Sequence, residues 1–349
     1  MSYAQSELRE HIARLPRYPL AHLPTPLEFL PRFSKALGGP RIFIKRDDCT
    51  GLACGGNKAR HNEFLIGDAL HKGADILVWG AGVQSNNCRQ TAAACAKAGL
   101  DCHLVLGRGG PARGPDVVQG NLLLDQLVGA HVDIVEELIG PDLDRRIAEQ
   151  AAKYRQAGRH PYMWENSVVK PLAAVSYVLC LTEVLEQSAA QGINPAAVYV
   201  SSAGSTGAGL ALGKQALGFT GDIRNIAPIE WPFDTRADLA HIANQAAKLI
   251  DIDTRLESSD IDITFDYIPP GYGKVSAGAL EAMTLMARTE GILLDPTYTG
   301  KALAALMHDI RSGRIDRDAT VVFIHTGGTP ALFAYAEILA EGIPMRKLV

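Results

Sequence analysis

Ala197-Val-Tyr-Val-Ser-Ser-Ala-Gly-Ser-Thr-Gly207 begins as an apolar, β-branched run, passes through a glycine turn, and continues into the small and apolar residues of 208–217. A strand, a tight turn and a helix is the reading that fits, because glycine lets the backbone turn sharply between two regular elements. The same order recurs outward in both directions. Arg41-Ile-Phe-Ile-Lys45 precedes glycine-rich 51–56 and a helical 57–72, and Ile76-Leu-Val-Trp79 precedes Gly80-Ala-Gly82 and a helical 86–99. Cys102-His-Leu-Val-Leu106 is followed by a Gly/Pro-rich loop at 107–115, a helical 120–129 and Val132-Asp-Ile-Val135. Further on come Asn225-Ile-Ala-Pro-Ile229, then Val321-Val-Phe-Ile324 running into His325-Thr-Gly-Gly328 and a helical 330–341. Strands alternating with helices at this spacing predict an α/β fold of βαβ units with mostly parallel sheet covered on both faces. The length suits two intimately packed lobes, with the active site between them.

The 349 residues, 47% hydrophobic and 6% aromatic, can bury one or two sizeable cores, which excludes a disordered or fibrous chain. Lys and Arg number 34 against 38 Asp and Glu, so no basic excess is present to neutralise a nucleic-acid backbone. Apolar runs such as Asp75–Trp79 and Thr320–Ile324 are strand-length, so neither a membrane span nor an anchor is expected. Residues 1–15 interleave charge with apolar side chains and lack the apolar core of a signal peptide. Six scattered cysteines without a CxxC pair read as reduced thiols rather than a disulfide or metal framework, and the expected compartment is the cytoplasm.

Two segments carry chemistry. In Gly55-Gly-Asn-Lys58-Ala-Arg60 a lysine opens a helix behind two glycines, where the positive end of the helix dipole disfavours a second positive charge. That suits a Schiff-base amine, although taken alone a solvated helix-start lysine is the commoner reading. In Ala203-Gly-Ser-Thr-Gly207, successive N–H groups and two hydroxyls at a helix start form a cup for a phosphate. The cup lacks the Lys-Ser/Thr ending of a nucleotide P-loop and the GxGxxG spacing of a dinucleotide site. A Schiff-base lysine together with a separate monophosphate cup points to pyridoxal phosphate.

In these features, and in Leu23-Pro-Thr-Pro-Leu27, Ile44-Lys-Arg-Asp-Asp48, Gln84-Ser-Asn86, Gly120-Asn-Leu-Leu-Leu124, Gly291-Ile-Leu-Leu-Asp-Pro296, Tyr298-Thr-Gly-Lys301 and His325-Thr-Gly-Gly328, the chain resembles the D-cysteine desulfhydrase and 1-aminocyclopropane-1-carboxylate deaminase family. That family belongs to the fold-type II, tryptophan synthase β-like pyridoxal-phosphate enzymes. The resemblance implies a large cofactor-binding domain (1–53 and 166–349), a small domain (54–165) and a homodimer. It implies that Lys58 holds the cofactor and then serves as base at the substrate α-carbon. Asn86 would bond the cofactor O3′, Ser85 and Asn87 the substrate carboxylate, and Ala203, Gly204, Ser205, Thr206 and Gly207 the phosphate. Thr326 would face the pyridine nitrogen, where a neutral hydroxyl makes the ring a weaker electron sink, suited to elimination and deamination. Tyr272 and Tyr298 would flank the substrate as acid, base or gate.

Two departures from the family bear on the substrate. The cyclopropane deaminases carry glutamate directly after the tyrosine where this chain has Thr299, which favours β-elimination from a small amino acid such as D-cysteine, releasing a 2-oxo acid and ammonia. The stretch Tyr162-Met-Trp-Glu-Asn-Ser167 replaces two glycines of the family pattern with bulky and charged residues. If it lines the pocket, Glu165 would read an amino, guanidino or hydroxyl group on the substrate. The alternatives are an internal pair of Glu165 with Arg236 or Lys170, and simple lobe packing by Trp164 and Glu165. Other readings are an ammonia-lyase or sulfo-lyase acting on cysteate or a diamino acid, and, from another class, a non-catalytic ligand-binding protein on the same fold. No metal ligands are expected.

Overall fold

The computed structural model describes residues 2–108, 117–137 and 139–343. Its strands in chain order are β1 (Leu27–Phe29), β2 (Arg41–Lys45), β3 (Ile76–Gly82), β4 (Asp101–Gly107), β5 (His131–Val135), β6 (Pro161–Met163), β7 (Ala197–Ser201), β8 (Asp222–Ile226), β9 (Ile263–Thr264) and β10 (Thr320–Ile324). They form two sheets, a six-stranded one ordered β1-β2-β10-β7-β8-β9 and a four-stranded one ordered β5-β4-β3-β6. Only β1 runs antiparallel, against β2. The predominantly parallel pairing follows from the helical crossovers that separate successive strands. All strands of the smaller sheet fall between residues 76 and 163, and on that basis we propose lobe boundaries near residues 54 and 165.

Each sheet is covered by helices whose small and aliphatic side chains fill the space against β-branched strand residues. The helix Asn166–Ala190 lies in this core, with Leu172, Val175, Val178 and Leu179 buried beside Ala208, Ala211 and Leu212 of the helix Ser205–Leu217. Gly209 permits this approach, since a Cβ there would stand 2.1 Å from the Ala174 carbonyl oxygen. By length and apolar composition the helix Asn166–Ala190 could cross a bilayer. The expectation that apolar runs are only strand-length therefore missed it; it is apolar on nearly all sides because other helices and sheet surround it.

Other boundaries differ from the sequence expectations for identifiable reasons. The strand read at 225–229 is β8, Asp222–Ile226, pairing Asp222 to Ile226 with Ala197 to Ser201; Pro228, which lacks an N–H, lies outside the ladder. Gly80-Ala-Gly82 continues β3 rather than leaving it, because β4 pairs with it through Gly107. The helix read at 330–341 is two pieces, Ala331–Ala334 and Ala336–Gly342, interrupted at Tyr335, whose hydroxyl donates to the Gly273 carbonyl (2.8 Å). Most of the loop expected at 107–115 lies outside the described residues.

Candidate active site

The segments that follow the carboxyl ends of β3, β7 and β10 meet in one cavity, which Ser85, Asn86 and Asn87, Ser202 to Thr206, and Thr326 and Gly327 line from three sides. Ligands of open parallel sheets bind at such ends, where loops rather than ladder bonds shape the surface. Asn57, Lys58, Ser201, Pro228 and Tyr298 complete the lining. Lys58 reaches the cavity because two glycine-bearing segments touch backbone to backbone: a Cβ on Gly327 would stand 2.6 Å from the Gly56 Cα. The Asn57 N–H donates to the Thr326 carbonyl (2.9 Å), which fixes the start of the helix Lys58–His71 against the Thr326 segment.

The Lys58 side chain is half-buried at the cavity wall, and its partial desolvation lowers the amine pKa to about 8. Lys58 is the first residue of its helix, as the sequence predicts. Its one hydrogen-bond partner among the described residues is His61 Nδ1, at 3.4 Å. The amine is thus available as a base or nucleophile near neutral pH.

At the cup, the Ser205 and Thr206 N–H groups open the helix Ser205–Leu217 and have no partner within it. The Gly207 N–H, by contrast, donates to Ser202 Oγ (2.8 Å). Gly207 is needed there because a Cβ would stand 2.2 Å from Asn225 Oδ1. The position expected to bind phosphate thus braces the cup from behind. Trp231 Nε1 donates to the Ala203 carbonyl (3.3 Å), steadying the turn from the opposite side.

Asn86 is oriented by neighbours the sequence reading did not name. Its Oδ1 accepts from Asn121 Nδ2 (2.9 Å) and Arg89 Nη1 (3.2 Å), which leaves the two N–H groups of its amide as donors at the cavity wall. Ser85 caps the helix Asn86–Ala98 by accepting from the Cys88 N–H (3.1 Å). The Thr326 hydroxyl makes no hydrogen bond among the described residues. This set, a desolvated amine at the cavity wall, free N–H groups at a helix start and an outward amide donor, fits the aldehyde, phosphate and phenolic oxygen of pyridoxal phosphate.

Tyr272 does not line the cavity but stands directly behind Tyr298, hydroxyl to hydroxyl in a very short hydrogen bond. Burial pushes the Tyr272 phenol up to about 12 and the Tyr298 phenol well above its ordinary value, so both stay protonated at neutral pH. The motif around them is now explained. Asp295, fully buried, accepts from the N–H groups of Thr297, Tyr298 and Thr299 (2.9 Å each) and from the Thr299 hydroxyl (2.7 Å). Lys301 Nζ donates to the carbonyls of Ile268 (2.7 Å) and Gly271 (2.8 Å), holding the turn that carries Tyr272.

The structure does not bring Glu165 into the cavity. It is exposed just before the helix Asn166–Ala190 and its carboxylate accepts from Ser167 Oγ (3.0 Å). The buried charge that would demand a cationic substrate group is therefore absent. Neither proposed internal partner meets it, because Lys170 pairs with Asp238 (3.2 Å) and Arg236 donates to the Ile263 carbonyl (2.8 Å). Trp164 packs edge-on against Trp79, ring centroids 4.9 Å apart, in the core of the smaller lobe.

Comparison with known proteins gives the family. Residues 18–327 match the family model described as pyridoxal-phosphate dependent enzyme. A 1-aminocyclopropane-1-carboxylate deaminase of Burkholderia ambifaria (strain MC40-6) is 39% identical over 338 residues, covering 95% of this chain and all of that protein. A crystal structure of an ACC deaminase homologue superposes with a TM-score of 0.87 at 32% identity, covering 96% of this chain and 99% of the other. A threonine deaminase from Solanum lycopersicum shares the fold at a TM-score of 0.64 and 17% identity, over 98% of this chain and 90% of its own.

Proposed function

The chain belongs to the family of pyridoxal-phosphate-dependent enzymes, and from that premise we propose that it is a lyase that deaminates a small amino acid by β-elimination, releasing a 2-oxo acid and ammonia. The observation that carries the proposal is the composition of the cavity wall: the Lys58 amine and the Tyr298 hydroxyl face one space to which no described side chain contributes a carboxylate. When bound, pyridoxal phosphate supplies an aldehyde that captures the substrate amine and a ring that accepts the electron pair from the α-carbon. Ser205 and Thr206 would hold its phosphate and Asn86 its phenolic oxygen, with Thr326 toward the ring nitrogen.

Lys58, with its amine near half-protonated at about pH 8, takes the proton from the α-carbon. As the bond from the β-carbon breaks, the leaving group departs with the electron pair and Tyr298 would pass it a proton, its phenol hydrogen-bonded to Tyr272. Ser85 and Asn87 would receive the substrate carboxylate, and water completes the release of ammonia.

Thr299 decides between substrates in this reading. Its hydroxyl is turned into Asp295, so the position after Tyr298 presents nothing to the cavity that could serve as a second acid or base. This supports D-cysteine and other β-substituted amino acids over the cyclopropane substrate named for the Burkholderia protein. The 39% identity to that protein favours the cyclopropane substrate as the second reading. A cytoplasmic homodimer belongs to the same proposal, the six unpaired thiols supporting a reducing compartment. Assaying 2-oxo acid release from D- and L-amino acids, β-chloroalanine and the cyclopropane amino acid tests the choice. At least tenfold higher kcat/KM on a β-substituted substrate is expected, and comparable turnover of the cyclopropane substrate would overturn it.

A further inference from the structure

His61 lies three residues beyond Lys58 on the same helix and joins the two halves of the site. Its Nδ1 is 3.4 Å from Lys58 Nζ, and its Nε2 is 3.2 Å from the Thr206 hydroxyl at the cup. The ring is fixed edge-on to Tyr177 at 5.5 Å, and the Tyr177 hydroxyl is tied to Asp47 at 2.6 Å. Burial and the neighbouring charges of Lys58 and Arg60 hold the imidazole pKa well below its ordinary value, so the ring is neutral and carries a single N–H.

We propose that His61 is a positioning residue through which an anion seated at Ser205 and Thr206 orients the Lys58 amine. The inference rests on reading Lys58 as the cofactor lysine. The Thr206 oxygen has two lone pairs and one hydrogen, and Asn57 Nδ2 donates to it at 3.0 Å. When the imidazole hydrogen is on Nε2, His61 fills the second lone pair and the Thr206 hydrogen is left to point at the anion. When that hydrogen is on Nδ1, Nε2 consumes the Thr206 hydrogen and a bare lone pair faces the anion, which is unfavourable. An anion at the cup therefore selects the Nε2–H tautomer. Nδ1 then accepts an N–H from Lys58, and the lone pair of the amine turns away from the ring toward the cavity. In the other tautomer Nδ1–H donates into that lone pair and occupies it.

The test uses the full-length chain freed of pyridoxal phosphate and labelled with 15N in the histidine rings, with inorganic phosphate as the probe. His61→Phe identifies the His61 resonances. Phosphate is expected to produce the Nε2–H pattern at His61. It should also accelerate covalent capture of phosphate-free pyridoxal by Lys58 about tenfold in the wild type and not in His61→Phe. His61→Gln, which can still donate to Thr206, should regain phosphate affinity without regaining the acceleration. An Nδ1–H or doubly protonated ring in the presence of phosphate, or full acceleration in His61→Phe, overturns the relay. Phosphate selection of the Nε2–H form without any capture of pyridoxal phosphate at Lys58 supports the coupling at the cup and overturns the functional reading instead.

Discussion

Lys58 and Lys301 both have their pKa lowered to about 8, and in both burial is the main cause. Their surroundings differ. Lys301 donates to two backbone carbonyls and closes a turn, whereas Lys58 has one long contact to His61 and opens on a cavity. The same contrast separates the two sides of the helix Lys58–His71. Arg60 is saturated by Asp47 (3.0 and 2.9 Å), Glu183 (2.8 Å to each oxygen) and Thr25 (3.0 Å), with Lys45 also paired to Glu183 (2.8 Å). A lowered pKa therefore does not by itself mark chemistry; a lowered pKa with unfilled hydrogen-bonding capacity does.

The contrast breaks first, and by the largest amount, at Arg60. Arg60→Met strands the buried Asp47 carboxylate and leaves Glu183 to Lys45 alone, and is expected to cost about 3–5 kcal/mol of stability in denaturant unfolding. Its pH dependence should also invert. In the wild type, burial raises the Asp47 and Glu183 pKa values but Arg60 and Lys45 outweigh it and hold both below the ordinary range. Their contribution is complete above the unfolded value of roughly 4 and is lost as pH falls through the lower folded values. Without Arg60, burial prevails at Asp47, its folded pKa rises above the unfolded one, and acidification toward pH 4 should recover that part of the stability relative to neutral pH.

Tyr298→Phe should leave unfolding nearly unchanged but reduce kcat about a hundredfold through loss of a proton donor. An equal loss in stability and no loss in kcat would move Tyr298 to the structural side of the comparison. Lys301→Met should cost about 1–3 kcal/mol by removing a charged donor from the Ile268 and Gly271 carbonyls, which keep only the N–H groups of Gly271 and Lys274, while cofactor attachment at Lys58 persists. The smallest effect is expected at Glu165: Glu165→Gln should change kcat/KM by less than about twofold on every substrate, since its carboxylate is exposed and outside the cavity.

Local signals were legible in the sequence and distant ones were not. Gly55-Gly-Asn-Lys58 and the turn at 203–207 could be read because the glycines, the lysine and the helix start are contiguous, and most of these residues line one cavity. His61 was readable in principle from its three-residue spacing to Lys58, which places both on one helix face. Arg60 was not, because its partners Asp47 and Glu183 lie 13 and 123 residues away in the chain. Asp295 sits within a quoted motif, but its role depends on four bonds that only the folded turn creates. Glu165 was misread because an unusual local stretch says nothing about which way an edge strand and the following helix will direct it.

Both lysines are reactive in principle, so the central claim is tested most directly by asking which of them takes the cofactor. The full-length chain is incubated with pyridoxal phosphate over a pH series, reduced with borohydride, digested and mapped by mass spectrometry. A single pyridoxyl adduct on Lys58 is predicted, with a capture rate rising through about pH 8 rather than the 10.5 of an ordinary lysine, and with Lys301 unmodified. An adduct on Lys301 at comparable yield, or no adduct on Lys58, would contradict the account.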